Sequence, residues 1–253
     1  MICAGATDIG QVRKVNEDSI LLLPQHGLFA VADGVGGSKG GKVASQMLTG
    51  ELARAALSSE HGLSSEELRA AIHDVNQKIN QLGERTPALY RMGTTCIAAS
   101  ILRGTMALAQ VGDSRAYLYH NGVGRQITND HRLVQEMVDR GELTVQEADD
   151  HPMRNILTRC VGGAMGTEVD LFDYDLMPED TFLLCSDGLS DMVRHEQILD
   201  AISSGERPDR LVNEMIQLAN DFGGQDNISV VVVRLEESDF LDPVPDDPDE
   251  TRA

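Results

Sequence analysis

Four aspartates in this chain share one setting, an apolar run on one side and glycine close by. Phe29-Ala30-Val31-Ala32 leads into Asp33-Gly34-Val35-Gly36-Gly37, and Leu108-Ala109-Gln110-Val111 leads into Gly112-Asp113-Ser114-Arg115. Phe182-Leu183-Leu184-Cys185 leads into Ser186-Asp187-Gly188-Leu189-Ser190-Asp191, and Gly223-Gly224-Gln225-Asp226-Asn227 stands ahead of Ile228–Val233. Asn16-Glu17-Asp18 directly precedes a further strand-like run. Taken singly, an aspartate beside glycine at a strand end is a turn or cap residue. Taken together, if these strand ends converge, six or seven carboxylates crowd one edge of the fold. Like charges that close repel by several kcal/mol each at intermediate dielectric, so cations must neutralise them or protons must stay bound. Hard oxygen ligands select Mg²⁺ or Mn²⁺ over zinc.

One cation stands out beside them. Arg13 lies five residues before Asp18 in Gly10-Gln11-Val12-Arg13-Lys14-Val15-Asn16-Glu17-Asp18. Two readings are open: a solvent-exposed basic residue at a strand start, or a guanidinium fork that faces the ions and grips a phosphate bidentately. Lys14 would serve the second role less well, because an ammonium is a point charge without a planar fork.

The elements that must position these residues follow from periodicity. Ser19–Leu23 and Leu28–Ala32 are β-rich runs separated by the turn-like Pro24-Gln25-His26-Gly27, which predicts a hairpin. Val43, Met47, Leu48, Leu52, Ala55 and Ala56 recur at helical spacing. Ser64-x-x-Glu67 forms a capping box ahead of Leu68, Ala71, Ile72, Val75, Ile79 and Leu82, with Gly83 as the expected stop. Strands are expected at Thr94–Leu102, Thr105–Val111 and Arg115–His120, joined by connections short enough to favour antiparallel neighbours. Between Asp130 and Gly163 short helices are expected, one ending near Gly141 and one opened by the capping box Thr144-x-x-Glu147. Strand Thr181–Ser186, a helix over about Pro208–Phe222 and strand Ile228–Leu235 close the body. Strands that mostly neighbour one another, with helices in pairs, indicate a layered α+β fold and not a parallel βαβ one. No internal repeat is present.

Composition sets the limits. The chain has 253 residues, 41% of them hydrophobic, with 21 basic against 41 acidic side chains and a formal charge of −20. It can bury a real core. Its longest apolar run, Leu28–Ala32, is far short of the roughly 20 residues of a membrane-spanning helix, and its start lacks the basic and apolar regions of a secretory signal. So acidic a chain is repelled by nucleic-acid backbones and anionic membranes. Cys3, Cys96, Cys160 and Cys185 show neither zinc spacing nor a dithiol pair, which suits reduced thiols in a cytoplasmic protein. Residues 236–253 carry eight acidic residues, one arginine and three prolines, so a body of 1–235 followed by an acidic flexible tail is expected.

In order along the body, Arg13-x-x-Asn16-Glu17-Asp18, Ala32-Asp33-Gly34-x-Gly36-Gly37, Met92-Gly93-Thr94-Thr95, Val111-Gly112-Asp113-Ser114-Arg115, Ser186-Asp187-Gly188-Leu189 and Asp226-Asn227 resemble the signatures of the metal-dependent protein phosphatases of the 2C class, the PPM family. The compact bacterial Ser/Thr phosphatases are the nearest type. The resemblance implies a four-layer α-β-β-α sandwich, two antiparallel sheets flanked by helix pairs, with a flap over about 130–163. It implies a Mg²⁺- or Mn²⁺-dependent hydrolase that removes phosphate from phosphoserine and phosphothreonine by direct attack of metal-activated water. Asp33 would bridge two ions, the Gly34 carbonyl would bind one of them, and Asp187 and Asp226 would complete the first ion's ligands. Asp18, with Glu17, would serve the second ion directly or through water. Asp113 and Asp191 match positions that hold a third, looser ion in bacterial relatives. Arg13 would hold the substrate phosphate, and Arg13, Asp33 and Asp187 would carry the catalysis.

Two departures stand in the pattern. Val35 replaces a histidine that is the proposed general acid of animal members, and Arg132 replaces the usual Ser or Thr after Asp130-His131, either as an added cation that tunes selectivity beside an anionic substrate or, the expected role, as a surface arginine. His131 and His151 could titrate near the site or be hydrogen-bonded structural residues, and neither is placed among the catalytic groups. Cys160 precedes Val161-Gly162-Gly163 without a following arginine, so no thiol-phosphate signature is present. A monomeric cytoplasmic enzyme acting on phosphoproteins is expected. The alternatives are a pseudophosphatase that only binds phosphoproteins, which should have lost metal-binding carboxylates, or a phosphatase of small phosphomonoesters.

Overall fold

A computed structural model of the chain describes residues 1–35, 40–59, 62–163 and 167–240. The chain opens with β1 (Ile2–Asp8), β2 (Ser19–Leu23), β3 (Leu28–Ala32) and the two-residue β4 (Gly34–Val35), followed by helices α1 (Gly40–Leu57) and α2 (Ser65–Arg85). Next come β5 (Gly93–Thr94), β6 (Cys96–Leu102), β7 (Thr105–Val111), β8 (Arg115–His120) and β9 (Val123–Gln126). Short helices α3 (Leu133–Asp139) and α4 (Val145–Asp149) precede β10 (Val161–Gly162), β11 (Asp170–Asp175) and β12 (Thr181–Cys185). The last elements are α5 (Asp187–Ser190), α6 (His195–Ser203), α7 (Pro208–Asp221) and β13 (Ile228–Arg234).

Two five-stranded sheets, ordered β1-β13-β12-β8-β9 and β11-β7-β6-β3-β2, stack face to face. Every pairing among the described residues is antiparallel. The expected four-layer sandwich is what the structure has, and strand alternation builds it. In β3, Phe29 and Val31 point between the sheets to meet Phe182, Leu184 and Val231, while Leu28, Ala30 and Ala32 point outward under α1 and α2. Phe29 and Phe182 meet edge to face, with ring centroids 5.9 Å apart. On the far side, Leu183, Val230 and Val232 pack under Leu211, Val212 and Met215 of α7. Central strands buried on both faces must be apolar throughout, which is why they read as continuous runs. Helix α7 starts with Pro208 in its first turn and turns Leu211, Val212, Met215 and Ala219 inward at three- and four-residue steps.

Both expected capping boxes form, at Ser64/Glu67 and Thr144/Glu147. Gly83, however, does not stop α2. The helix runs two residues further and ends where Thr86 turns extended before Pro87, since proline bars the α conformation from the residue ahead of it. The chain end also departs from expectation. Residues 237–240 form a short 3₁₀ turn, Phe240 packs against the inter-sheet core, and the Met1 amino group pairs with Glu236 and Asp239. The body therefore includes residues assigned to the tail; 241–253, like Gly36 and Gly37 of the glycine motif, lie outside the described residues.

The third, small sheet, ordered β10-β5-β4, sits at the edge where the strand ends meet. Two glycines show how tightly the chain is drawn together there. A Cβ on Gly34 would lie 2.3 Å from the Gly41 carbonyl carbon and 2.6 Å from the Glu17 oxygen, and one on Gly188 would lie 2.0 Å from the Asn227 oxygen. Both obstacles are backbone, which cannot swing aside as a side chain can. Gly188→Ala is expected to cost about 2 kcal/mol or more in urea unfolding, whereas Gly50→Ala, in α1 with nothing within 4 Å of the added methyl, gains roughly 0.5–1 kcal/mol. An unchanged unfolding midpoint for Gly188→Ala would contradict the close approach.

Candidate metal centre

Asp18 stands at the start of β2, buried, and its Oδ2 accepts from the hydroxyls of Ser229 (2.6 Å) and Ser186 (2.9 Å). Ser229 is the one polar residue of the apolar run in β13, and Ser186 directly follows β12, so two strands of one sheet orient a carboxylate from the edge of the other. Asp33 follows β3. Its backbone is pinned by Thr95, whose N–H donates to the Asp33 carbonyl (2.8 Å) and whose Oγ1 accepts from the Asp33 N–H (2.9 Å). The side chain is left to face Asp18 and Asp187 within hydrogen-bond reach. Asp187 opens α5 beneath Gly188, and Asp226 stands before β13 with its Oδ1 accepting from the Asn227 N–H (2.8 Å). Asn227 clamps the loop that carries Arg13. Its Oδ1 accepts from the Glu17 N–H (2.8 Å), and its Nδ2 donates to the carbonyls of Ile9 (3.0 Å) and Val15 (3.1 Å).

The electrostatics are those of trapped like charge. Burial pushes the Asp18 carboxyl up to about 7; the Ser229 and Ser186 hydroxyls pull against it and the Asp187 charge adds to it. Asp33 is raised well above the ordinary carboxylate range, first by burial and then by the charges of Asp18, Asp113 and Asp226. Asp187 is raised likewise, by burial and then by Asp33, Asp113 and Asp191. Asp187 still opens onto the cleft and Asp33 is only partly buried, so this is the desolvation of a groove floor and not of a sealed core. Two carboxylates within hydrogen-bond reach need either a shared proton or a cation between them.

Three oxygens fit the cation. Glu17 Oε1, Asp18 Oδ1 and Asp187 Oδ1 are buried with no hydrogen-bond partner, and the donor set is oxygen only, as Mg²⁺ and Mn²⁺ prefer. Among the described residues no three acidic, histidine or cysteine side chains stand at the spacing of one ion's ligands, and arginines hold several of the carboxylates. Arg13, half-exposed at the cleft rim, pairs with Asp226 Oδ2.

Arg132 is the larger correction. It is 6% exposed, not at the surface. Its Nε donates to Asp113 Oδ2 (2.6 Å), Nη1 to Asp191 Oδ1 (3.0 Å), and Nη2 to Asp191 Oδ2 (3.2 Å) and Asp187 Oδ2 (3.3 Å). Asp113 and Asp191, expected to hold a third ion, are thus bonded to a guanidinium. Beside it, Asp130 takes a bidentate grip from Arg115.

The nine expected site residues, Arg13, Glu17, Asp18, Asp33, Gly34, Asp113, Asp187, Asp191 and Asp226, come together at this edge. Sequence reasoning left Ser186, Asn227, Ser229, Thr95 and Arg132 out of the site. A lone serine inside an otherwise apolar strand was the available sign for Ser229. Val35 is half-buried in β4. His131 is buried and kept neutral by that burial; its Nδ1 accepts from the Gly112 N–H (3.0 Å), leaving Nε2–H to face Asp170 (3.1 Å). It is a structural histidine at the root of the flap. His151 Nδ1 accepts from the Met153 N–H (3.2 Å) within the flap. A cleft of about 760 Å³ lies over the carboxylates, with Asp187, Asp191 and Asp226 on one wall and Val134, Val138 and Arg154 on the other.

Comparison with known proteins agrees with this geometry. The sequence model described as Protein phosphatase 2C matches residues 10–228. The chain is 39% identical to the serine/threonine phosphatase stp of Listeria welshimeri, over 90% of this chain and 93% of that one. Its fold superposes on the crystal structure of the Mycobacterium tuberculosis serine/threonine phosphatase PstP with a TM-score of 0.86 at 39% identity, covering 93% of this chain and 98% of that one. A second structure, the catalytic domain of PstP in complex with two manganese ions, gives a TM-score of 0.84 at 36% identity over 92% of this chain and 98% of that one. With the carboxylate floor, the two stacked sheets and these similarities in agreement, the chain belongs to the protein phosphatase 2C family.

Proposed function

We propose that this chain is a Mg²⁺/Mn²⁺-dependent protein serine/threonine phosphatase whose two ions sit on the floor formed by Asp18, Asp33, Asp187 and Asp226. The observation that carries the reading is the mutual approach of Asp18, Asp33 and Asp187, with buried oxygens left without partners. Asp33, which reaches both Asp18 and Asp187, would be the carboxylate shared by the two ions. Asp187 and Asp226 would hold one ion with the Gly34 carbonyl, and Asp18, with Glu17, would hold the other. When bound, such ions supply an activated water for in-line attack on phosphorus and neutralise the charge that develops there.

The chain's own residues do the rest. The Ser186 and Ser229 hydroxyls hold Asp18 Oδ2 so that Oδ1 points to the floor. Arg13 stands at the rim, half in solvent and paired with Asp226, with a planar fork matched to a phosphate. The flap forms the opposite wall, and its helices keep water from part of the cleft. Val35 donates no proton, and both ring nitrogens of His131 are engaged, so neither protonates the leaving oxygen. Phosphoproteins are the substrates, and a monomeric cytoplasmic enzyme without nucleic-acid or membrane affinity completes the proposal. The −20 charge disfavours phosphate polymers, the fully buried Cys96 and Cys185, their thiols raised to about 12 by burial, suit a reducing compartment, and no helix among the described residues is long and apolar enough to cross a membrane.

Hydrolysis of p-nitrophenyl phosphate and of a phosphothreonine peptide should require Mn²⁺ or Mg²⁺ and stop with chelator. Asp33→Ala and Asp187→Ala should lose at least ~10³-fold in kcat, the scale of several kcal/mol of charge stabilisation. Arg13→Ala should mainly raise KM. Full turnover in chelator would remove the mechanism.

The pH dependence has a definite sign. From the ordinary carboxylate range near ~4 up to about 7, folded Asp18 holds a proton that the unfolded chain has lost. Stability of the cation-free protein therefore falls as pH rises through that window, and an incoming cation must displace the proton. Calorimetric Mn²⁺ affinity should weaken from about pH 7.5 to about pH 5.5, roughly tenfold per pH unit for each proton released. Asp18→Asn should flatten this dependence; equal slopes in the two proteins would refute the assignment.

A further inference from the structure

We infer that Arg132 is a built-in cation that occupies the place a divalent ion would otherwise take between Asp113 and Asp191, so that this chain binds two ions and not three. The inference rests on the reading of Asp18, Asp33, Asp187 and Asp226 as the holders of the paired ions. Its own basis is the distribution of four hydrogen bonds. Nε, Nη1 and Nη2 of one buried guanidinium all donate, to Asp113, to both oxygens of Asp191 and to Asp187. Asp113 is 4% exposed, and Asp191 is engaged through both of its oxygens. Both oxygens of Asp191 and Oδ2 of Asp113 are already committed to the guanidinium.

Geometry makes the substitution durable. Arg132 is anchored by a β-bridge to Leu157, and its neighbours tie the flap root down. The His131 N–H donates to the Gly112 carbonyl (3.1 Å), the Leu133 N–H to that of Ile156 (2.8 Å), and the Thr158 N–H to that of His131 (2.9 Å). An ion entering between Asp113 and Asp191 would have to expel a covalently tethered, largely buried charge and leave that charge unpaired. A planar, always-charged fork suits three carboxylates at fixed angles, which a lysine ammonium would not. The same fork sets Asp187: Oδ2 is held by Nη2, and Oδ1 is the atom left without a partner, the one that would serve the paired ions. Asp130 lies 3.9 Å from the guanidinium but is answered by Arg115, so the carboxylates left for Arg132 are the three it bonds.

The test counts ions. The full chain is equilibrated with millimolar Mn²⁺, and protein-bound Mn²⁺ is measured by equilibrium dialysis and by the loss of the free-ion paramagnetic resonance signal. Wild type is expected to hold two ions, and Asp191→Asn the same two. Arg132→Ser, shown to be folded by circular dichroism, is expected to hold three, and Arg132→Ser/Asp191→Asn to return to two. Three ions on the wild type, falling to two in Asp191→Asn, would overturn the inference, and so would a folded Arg132→Ser that stays at two. If Arg132→Ser does not fold, the wild-type and Asp191→Asn counts decide alone. A wild type that binds no ion would instead overturn the paired-ion reading beneath it.

Discussion

Carboxylates packed side by side in a groove with little water repel one another far more strongly than on an open surface. At the edge of this sandwich Asp18 and Asp113, both buried, crowd against Asp33, Asp187 and Asp191, and most of the local structure can be understood as a response to that crowding. Part of the response is internal: Arg132 answers three of the charges, and the Ser186 and Ser229 hydroxyls answer one oxygen of Asp18. What is left over, the unpartnered oxygens of Glu17, Asp18 and Asp187, is the unmet demand that divalent ions satisfy. The enzyme's dependence on metal is thus a consequence of how incompletely its own cations neutralise the cluster.

The sandwich delivers this crowding because its strands are rigid and their ends are close. Asp33, Asp113, Asp187 and Asp226 each stand at the end of a strand buried between helices and a second sheet, so the positions of their Cα atoms are set by the same packing that forms the core. Close approach of backbones at that edge then requires glycine, which explains why Gly34 and Gly188 sit directly after two of the carboxylates. The motifs are therefore part packing requirement and part chemistry. The aspartate supplies the ligand, and the glycine supplies the room for a neighbouring chain segment to bring the next ligand near.

Legibility from sequence followed burial. Central strands β3, β6, β7, β12 and β13 lie between layers on both faces, so their apolar runs could be read directly. Strands β1, β9 and β11 gave no such sign, and all three are sheet edges with partly exposed side chains. β11, Asp170-Leu171-Phe172-Asp173-Tyr174-Asp175, even carries charges that discourage edge-to-edge association. At the site, residues chosen for their charge were found because carboxylates beside glycine are conspicuous. Residues that work through distant partners were not. Arg132 meets Asp113, Asp187 and Asp191 only after folding, and nothing local separates it from a surface arginine. Asn227 was visible as part of a motif, but its clamp on Ile9, Val15 and Glu17 spans more than 200 residues of chain.

An enzyme with a net charge of −20 that must attract phosphorylated side chains poses an apparent contradiction, and the cleft resolves it locally. The long-range field of the acidic surface is screened within about 8 Å at physiological ionic strength, so what a phosphoryl group meets at the floor is set by nearby charges. Those include Arg13 at the rim and Arg154 and Arg194 along the cleft lining, together with the ions held by the carboxylates. Arg132, though it also borders the cleft, is already spent on its three aspartates and has little charge left to offer a substrate. A single phosphoserine or phosphothreonine therefore needs only the short-range attraction of the floor, whatever the sign of the distant surface charge.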